Sequence, residues 1–365
     1  MSDPGIELET LRDGVRDVLA READSARTHR LFDDGALIDR PLWDTASELG
    51  WLALGVPEAQ GGLGLGVAET AVVFEELGRS LAVVPYLGAT LAARAIALGG
   101  SEAQRDRWLP QIAGGERICA VSPPMGRVGA SQPTLRRDGQ DFVLSGAATD
   151  LLQGAEADLL VVCARDAAGA AVHVVVEPAT DGAVLALERT VDQTRHLARA
   201  TFDELRLPAD RLLDAAAIGE TLAIEAALAL ACDAVGGAEA IFERTLDYLK
   251  TRQQFGKPIG SFQGLKHRCA DHKVAMAASA AVVAEAVRLW AEGDPGGRPL
   301  AFVAKAYACE VYAQVAEDAV QLHGGIGFTW EHDAHLFLKR AKLNQALYGG
   351  TGSHLDRAAT LLLAA

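Results

Sequence analysis

Arg252 and Phe255 stand three residues apart in the run Tyr248-Leu-Lys-Thr-Arg-Gln-Gln-Phe-Gly-Lys-Pro-Ile-Gly-Ser-Phe-Gln263, which separates two long apolar stretches. A guanidinium and an aromatic ring held at such a corner suit a pyrophosphate and a flat heterocycle, because arginine grips phosphate oxygens with paired, charge-assisted donors. Gly256, Pro258 and Gly260 supply the punctuation that stops one helix and restarts the chain. The same residues also fit a solvated helix end with a core phenylalanine, and residue types alone do not choose between the two.

Other chemistry-bearing groups are weaker. His332 and His335, flanked by Glu331 and Asp333, have the residue types of a metal site, but three-residue spacing at a helix start equally fits capping and solvent contact, the reading favoured here. The loop with Pro57, Gly61, Gly62, Gly64 and Gly66 has the glycines of a phosphate cradle, yet no Lys-Ser or Lys-Thr follows, so a structural turn is expected. Cys119, Cys163, Cys232, Cys269 and Cys309 show no ligand spacing or paired framework, which suggests buried thiols in a reducing compartment.

Three domains are expected to position these groups. Residues 1–116 carry apolar side chains at helical spacing, as in Leu8, Leu11, Val15 and Leu19. Residues 117–211 hold short Val- and Leu-rich runs between Gly, Asp and Pro turns, read as an antiparallel β domain that ends at Pro208. In residues 212–365, the stretches 218–252, 262–291, 300–322 and 332–347 are long and rich in Ala and Leu, which suggests an antiparallel four-helix bundle. The fold class is therefore α+β. With half of its 365 residues hydrophobic, the chain can bury a large core. A net charge of −15 argues against nucleic-acid binding through a general basic face. The start of the chain lacks the pattern of a signal peptide and the apolar runs look too short for membrane spans, so a cytoplasmic protein is expected.

Three blocks in order resemble the acyl-CoA dehydrogenases: Val56-Pro-Glu-Ala-Gln-Gly-Gly-Leu-Gly-Leu65, the corner Arg252 to Gln263, and Gln321-Leu-His-Gly-Gly325-Ile-Gly-Phe. The resemblance implies a fold of helical domain, β domain and four-helix bundle, tetramers whose bundles pack together, and FAD lying between subunits. It implies that Arg252, Phe255, Gln263, Gln321, Gly324 and Gly325 hold the ADP end of a neighbouring subunit's FAD.

The family's usual catalytic base is a Glu following the Tyr of a Tyr-Glu-Gly-Thr segment, and here the segment reads Tyr348-Gly349-Gly350-Thr351. Glycine has no side chain to accept a proton, so no catalytic residue is assigned. Some members carry the base at the start of the helix before the corner. That position is Ala226 here, with Glu225 one residue, or about 100° of rotation, away. The family's flavin-ring segments survive only as fragments in Val121-Ser-Pro-Pro-Met-Gly-Arg-Val-Gly-Ala130 and Leu144-Ser-Gly-Ala-Ala-Thr-Asp-Leu-Leu152.

The pattern, with Gly327 to His335 followed by Lys339-Arg340, resembles the non-catalytic subunit of α2β2 acyl-CoA dehydrogenases from actinobacterial sterol catabolism. It implies a catalytic partner that supplies the base, the flavin-ring pocket and the acyl-CoA cleft, while this chain clamps the partner's FAD. A self-sufficient dehydrogenase using Glu225 and a non-enzymatic scaffold of the same fold are the competing expectations.

Overall fold

A computed structural model of the chain describes residues 4–123, 132–214 and 218–364. The helices of the first part are α1 (Pro4–Glu22), α2 (Ser25–Asp33), α3 (Arg40–Glu48), α4 (Val67–Ser80), α5 (Tyr86–Gly99) and α6 (Glu102–Ala113). Local chemistry sets their starts: Asp39 accepts from Leu42 N–H ahead of α3, and Ser101 with Gln104 forms a reciprocal capping box on α6. The strands follow as β1 (Cys119–Val121), β2 (Thr134–Asp138), β3 (Asp141–Leu152), β4 (Leu159–Arg165) and β5 (Ala171–Val176). After the single turn α7 (Pro178–Asp181) come β6 (Val184–Glu188), β7 (Leu197–Leu207) and β8 (Leu212–Leu213). The rest is α8 (Ile218–Thr251), the short strands β9 (Gln253–Gln254) and β10 (Lys257–Pro258), α9 (Gln263–Ala291), α10 (Gly297–His323), α11 (Ala334–Ala346) and α12 (Thr351–Leu363).

The chain divides into two compact units. One comprises residues 30–70 and 83–226. Its sheet runs β6-β7-β3-β2-β4-β5-β8, with β1 added beside β4. The β domain read from the sequence is present, but its sheet is mixed: β1 and β4 pair in parallel, as do β2 and β4 at Thr134 and Arg165. Pairing across such sequence distances leaves no local turn signal, which is why the sequence suggested only antiparallel strands. Leu144, Leu160, Val162, Val174, Val176, Ala198, Phe202 and Leu207 fill one buried cluster. Helix α5 lies against β1 so closely that a Cβ on Gly88 would meet the Cys119 carbonyl oxygen at 2.0 Å.

The other unit comprises residues 1–29, 71–82 and 227–365. Here α4 and α8 cross on reciprocal glycines: a Cβ on Gly236 would sit 1.9 Å from the Glu75 carbonyl oxygen, and one on Gly78 2.2 Å from that of Asp233. Beside this crossing a wholly buried ion pair joins α11 to α8, with Arg340 Nη1 donating to Asp233 Oδ2 at 3.0 Å and Asn344 Nδ2 to Oδ1 at 2.6 Å. Helix α10 packs against α9, α11 and α12 and is buried along most of its length. The last helix, α12, was not among those read from the sequence. Among the described residues two helices, α8 and α9, are long and apolar enough to cross a membrane by length and composition, contrary to the expectation from the sequence. Alanine-rich stretches reach that hydropathy by summation. The apolar window of α8 is 83% buried within the protein, whereas that of α9 is only 22% buried.

Candidate functional site

Helix α8 gives way after Thr251 to a tight hairpin in which Gln254 pairs with Lys257 and Gln253 with Pro258. The two residues at its tip, Phe255 and Gly256, have φ of +52° and +78°, the left-handed pair that a two-residue turn of right-twisted strands requires. Glycine adopts this freely; a bulky aromatic residue does so at a cost. The geometry leaves Phe255 90% exposed, with its ring edge-on to Phe262 at 6.2 Å between centroids. Ile259 N–H donates to the Arg252 carbonyl at 2.8 Å and closes the corner. A Cβ on Gly260 would press on the Leu249 carbonyl oxygen at 2.9 Å, so glycine lets the chain pass the helix end closely. The guanidinium of Arg252 is exposed, and among the described residues it has no carboxylate partner.

The second block caps α10. Gly324 takes φ +65° and ψ −144°, a conformation open to glycine, and one turn of tighter helix over Gly324–Phe328 follows. Nothing lies within 4 Å of a Cβ placed on Gly324 or Gly325, so both backbones are open to approach. Gly327 differs: it is buried, and a Cβ there would meet the Val320 carbonyl oxygen at 2.8 Å. Gln321 and Gln263 are exposed.

The link between the blocks was not legible in the motifs. Tyr248, one helical turn before Arg252, stacks on His323, the residue before Gly324, with 4.5 Å between ring centroids. Its hydroxyl donates to the His323 carbonyl at 3.4 Å. The ends of α8 and α10 are thereby held together, and both blocks fall at one end of the helices. An unpaired guanidinium, an exposed ring and two open glycine backbones fit the ADP end of FAD: Arg252 would hold the pyrophosphate, Gly324 and Gly325 would admit close approach, and Phe255 would supply apolar contact.

The expected position of the base has a different character. Between α11 and α12, Tyr348 and Gly349 take φ of +56° and +106°. Beneath this loop Lys305 of α10, almost fully buried, donates from Nζ to the Gly349 carbonyl at 2.6 Å and to that of Gln345 at 3.1 Å. Burial pushes the ammonium below the ordinary lysine range. Glu225, in the other unit, accepts from Arg94 Nε at 2.9 Å, and neighbouring Ala226 is buried.

Of the two flavin-ring fragments, positions 124–130 lie outside the described residues. Leu151 belongs to the buried cluster of the sheet, and Leu152 beside it is buried as well. Ser122 Oγ, Gln153 Nε2 and His196 Nε2 are buried polar atoms without hydrogen-bond partners among the described residues.

The histidines also have defined neighbours. His332 Nδ1 accepts from Ala334 N–H at the start of α11 at 3.1 Å, a capping contact. Asp333 accepts from Ser25 at 2.5 Å, from His29 at 3.1 Å and from Arg244. His335 is buried and stacks on Trp330 at 5.4 Å.

Comparison with known proteins agrees with this architecture. Residues 6–116 match the family model "Acyl-CoA dehydrogenase, N-terminal domain", and residues 215–363 match "Acyl-CoA dehydrogenase, C-terminal domain". The chain is 35% identical to acyl-CoA dehydrogenase IpdE2 of Mycobacterium tuberculosis over 93% of its own length and 92% of that protein. Among solved structures, a chain of the ChsE4-ChsE5 complex from Mycobacterium tuberculosis superposes with TM-score 0.91 at 26% identity, covering 100% of this chain and 99% of that one. A chain of a variant of the Tcur3481-Tcur3483 steroid ACAD superposes with TM-score 0.89 at 31% identity, covering 99% and 98%.

Proposed function

The chain belongs to the acyl-CoA dehydrogenase family, a family of FAD-dependent oxidoreductases, and from that premise we propose that it is the cofactor-clamping, base-lacking subunit of a heteromeric enzyme. The observation that carries the reading is a contrast within one unit of the protein. At the corner, Arg252 is exposed without a carboxylate partner and Gly324 and Gly325 are open; at the expected position of the base, Gly349 has no side chain and its carbonyl is bound by Lys305.

Bound at this corner, FAD supplies the hydride acceptor for α,β-desaturation of an acyl-CoA thioester. Arg252 would pair with the pyrophosphate, and the hairpin would hold Phe255 out toward the cofactor. Removal of the α-proton requires a positioned base within hydrogen-bond reach. Gly349 cannot act as one, so the base belongs to a partner chain of the same fold. Glu225 is engaged with Arg94, and Glu225→Gln should leave thioester oxidation by the complex unchanged; a collapse of turnover would favour a self-sufficient enzyme.

Two further observations support assembly. The exposed apolar side of α9 is of the kind that becomes buried when helical bundles associate. Complexes of two different chains stand among the structural neighbours, one described as a steroid enzyme, which supports a steroid-type acyl-CoA substrate and a heteromeric assembly.

The test is expression alone and together with each base-carrying acyl-CoA dehydrogenase chain of the same genome. The expected result is no flavin and no thioester oxidation alone, and about one FAD per two chains with activity in the pair, as two complementary half-sites require. Tight FAD and turnover by the isolated chain would overturn the proposal.

A further inference from the structure

Residues 250–273 contain six cations, Lys250, Arg252, Lys257, Lys266, Arg268 and Lys273, and one acid, Asp271, within a chain whose net charge is −15. All six cations are exposed. Two have partners: Lys250 pairs with Asp247, and Arg268 with Asp318. Lys257 Nζ lies 4.4 Å from the Phe262 ring centroid. Among the described residues, Arg252, Lys257, Lys266 and Lys273 have no carboxylate partner. A strongly acidic protein thus concentrates unpaired positive charge on the corner hairpin and the first three turns of α9.

The clamp assigned to Arg252 does not account for this excess. A pyrophosphate bridge carries two negative charges, fewer than the four unpaired cations gathered here, and Arg252 with backbone donors already meets part of that charge. Lys266 and Lys273 are seven residues apart, so they project from the same side of α9 about 10 Å apart along its axis. Val274, 72% exposed, follows directly and begins the exposed apolar stretch. A charged border continuous with an apolar centre is the arrangement of a protein interface, where the rim contributes more to the association rate and choice of partner than to raw affinity.

We infer that Lys266 and Lys273 form a docking border for an acidic surface on the catalytic partner subunit and select that partner over a second copy of this chain. The inference rests on the heteromeric reading above. In a symmetric pairing of two copies with their α9 helices side by side and parallel, the same border faces itself, and like charges in opposition disfavour it. An acidic partner meets attraction along the whole edge, and its approach accelerates at low ionic strength.

The test measures association of the full chain with the base-carrying acyl-CoA dehydrogenase chain that restores activity in co-expression, at low and physiological salt, for the wild type, K266E/K273E and K266R/K273R. Charge reversal is expected to slow association about ten-fold at low salt and to remove most of the salt dependence. The arginine pair should restore both, and FAD content of the assembled complex should not change. Equal rates and salt response in the wild type and K266E/K273E would overturn this inference while leaving the half-site intact. Failure of the wild type to bind would overturn both. Loss of FAD with unchanged assembly would assign the lysines to a phosphate group instead, and salt-sensitive self-association lost on charge reversal would assign them to a second copy; either result overturns the inference.

Discussion

Arg252→Ala separates a cofactor clamp from a merely solvated helix end. The side chain is exposed and lacks a carboxylate partner, and only its backbone takes part in the corner, accepting from Ile259 N–H at 2.8 Å and donating to the Tyr248 carbonyl at 2.8 Å. Truncation should therefore change the stability of the chain by no more than about 0.5 kcal/mol. In the proposed assembly the same guanidinium would become desolvated against phosphate oxygens. A hydrogen bond to a charged group there contributes about 1.5–3 kcal/mol, which corresponds to roughly a ten- to 150-fold weaker hold on FAD. Arg252→Lys, which keeps the charge but loses the planar fork, should fall between the two. The assay is a flavin titration of the apo complex, followed by quenching of FAD fluorescence, with urea unfolding of the isolated chain as control. Unchanged flavin affinity would refute the clamp, and a marked loss of stability in the isolated chain would show that the reading of the corner is wrong.

Gly236→Ala places a methyl group where the Glu75 carbonyl oxygen stands 1.9 Å away, so α4 and α8 must separate; a stability loss of about 1–3 kcal/mol should appear as a lower urea midpoint, and an unchanged midpoint would refute the close crossing. Gly349→Glu puts a side chain at φ +106°, and should lower the melting temperature without giving the isolated chain thioester oxidation; measurable turnover would show that the base alone was missing. His354 is buried, and burial with the nearby Lys305 ammonium pushes its pKa down from 6.5 to about 3. Below the unfolded pKa the unfolded chain binds a proton that the native chain resists, so stability falls as pH drops from 6.5 toward 3, by about 1.4 kcal/mol per unit for one site. His354→Phe should flatten the acid limb of a stability–pH curve by up to that slope, and an unaltered limb would rule out this histidine as a contributor.

Much of the architecture is legible along the chain because periodicity is a local property. The stretch read as helical over 218–252 is α8, and that over 262–291 is α9, since long Ala- and Leu-rich runs leave no strand alternative. Helix α12 is harder to see: Gly352, Ser353 and His354 interrupt its first turn, and the burial of His354 depends on packing from elsewhere. The strand β2, Thr-Leu-Arg-Arg-Asp, has more charge than a typical strand and is held by pairing to β3. At the candidate site, motif spacing singled out Arg252, Phe255, Gly324 and Gly325. It did not reveal the Tyr248–His323 stack that joins their supporting helices, nor the buried Lys305 under Gly349, because each contact spans dozens of residues.

The loop under Lys305 bears on the history of such a protein. Once a glycine has settled at φ +106°, a backbone shape closed to other residues, a single codon change to glutamate meets a loop that does not accept its side chain without strain. Under the proposed division of labour this works as a ratchet. Recovering independence would demand a reshaped loop as well as a new base, which would tie the two kinds of subunit to one another's fate.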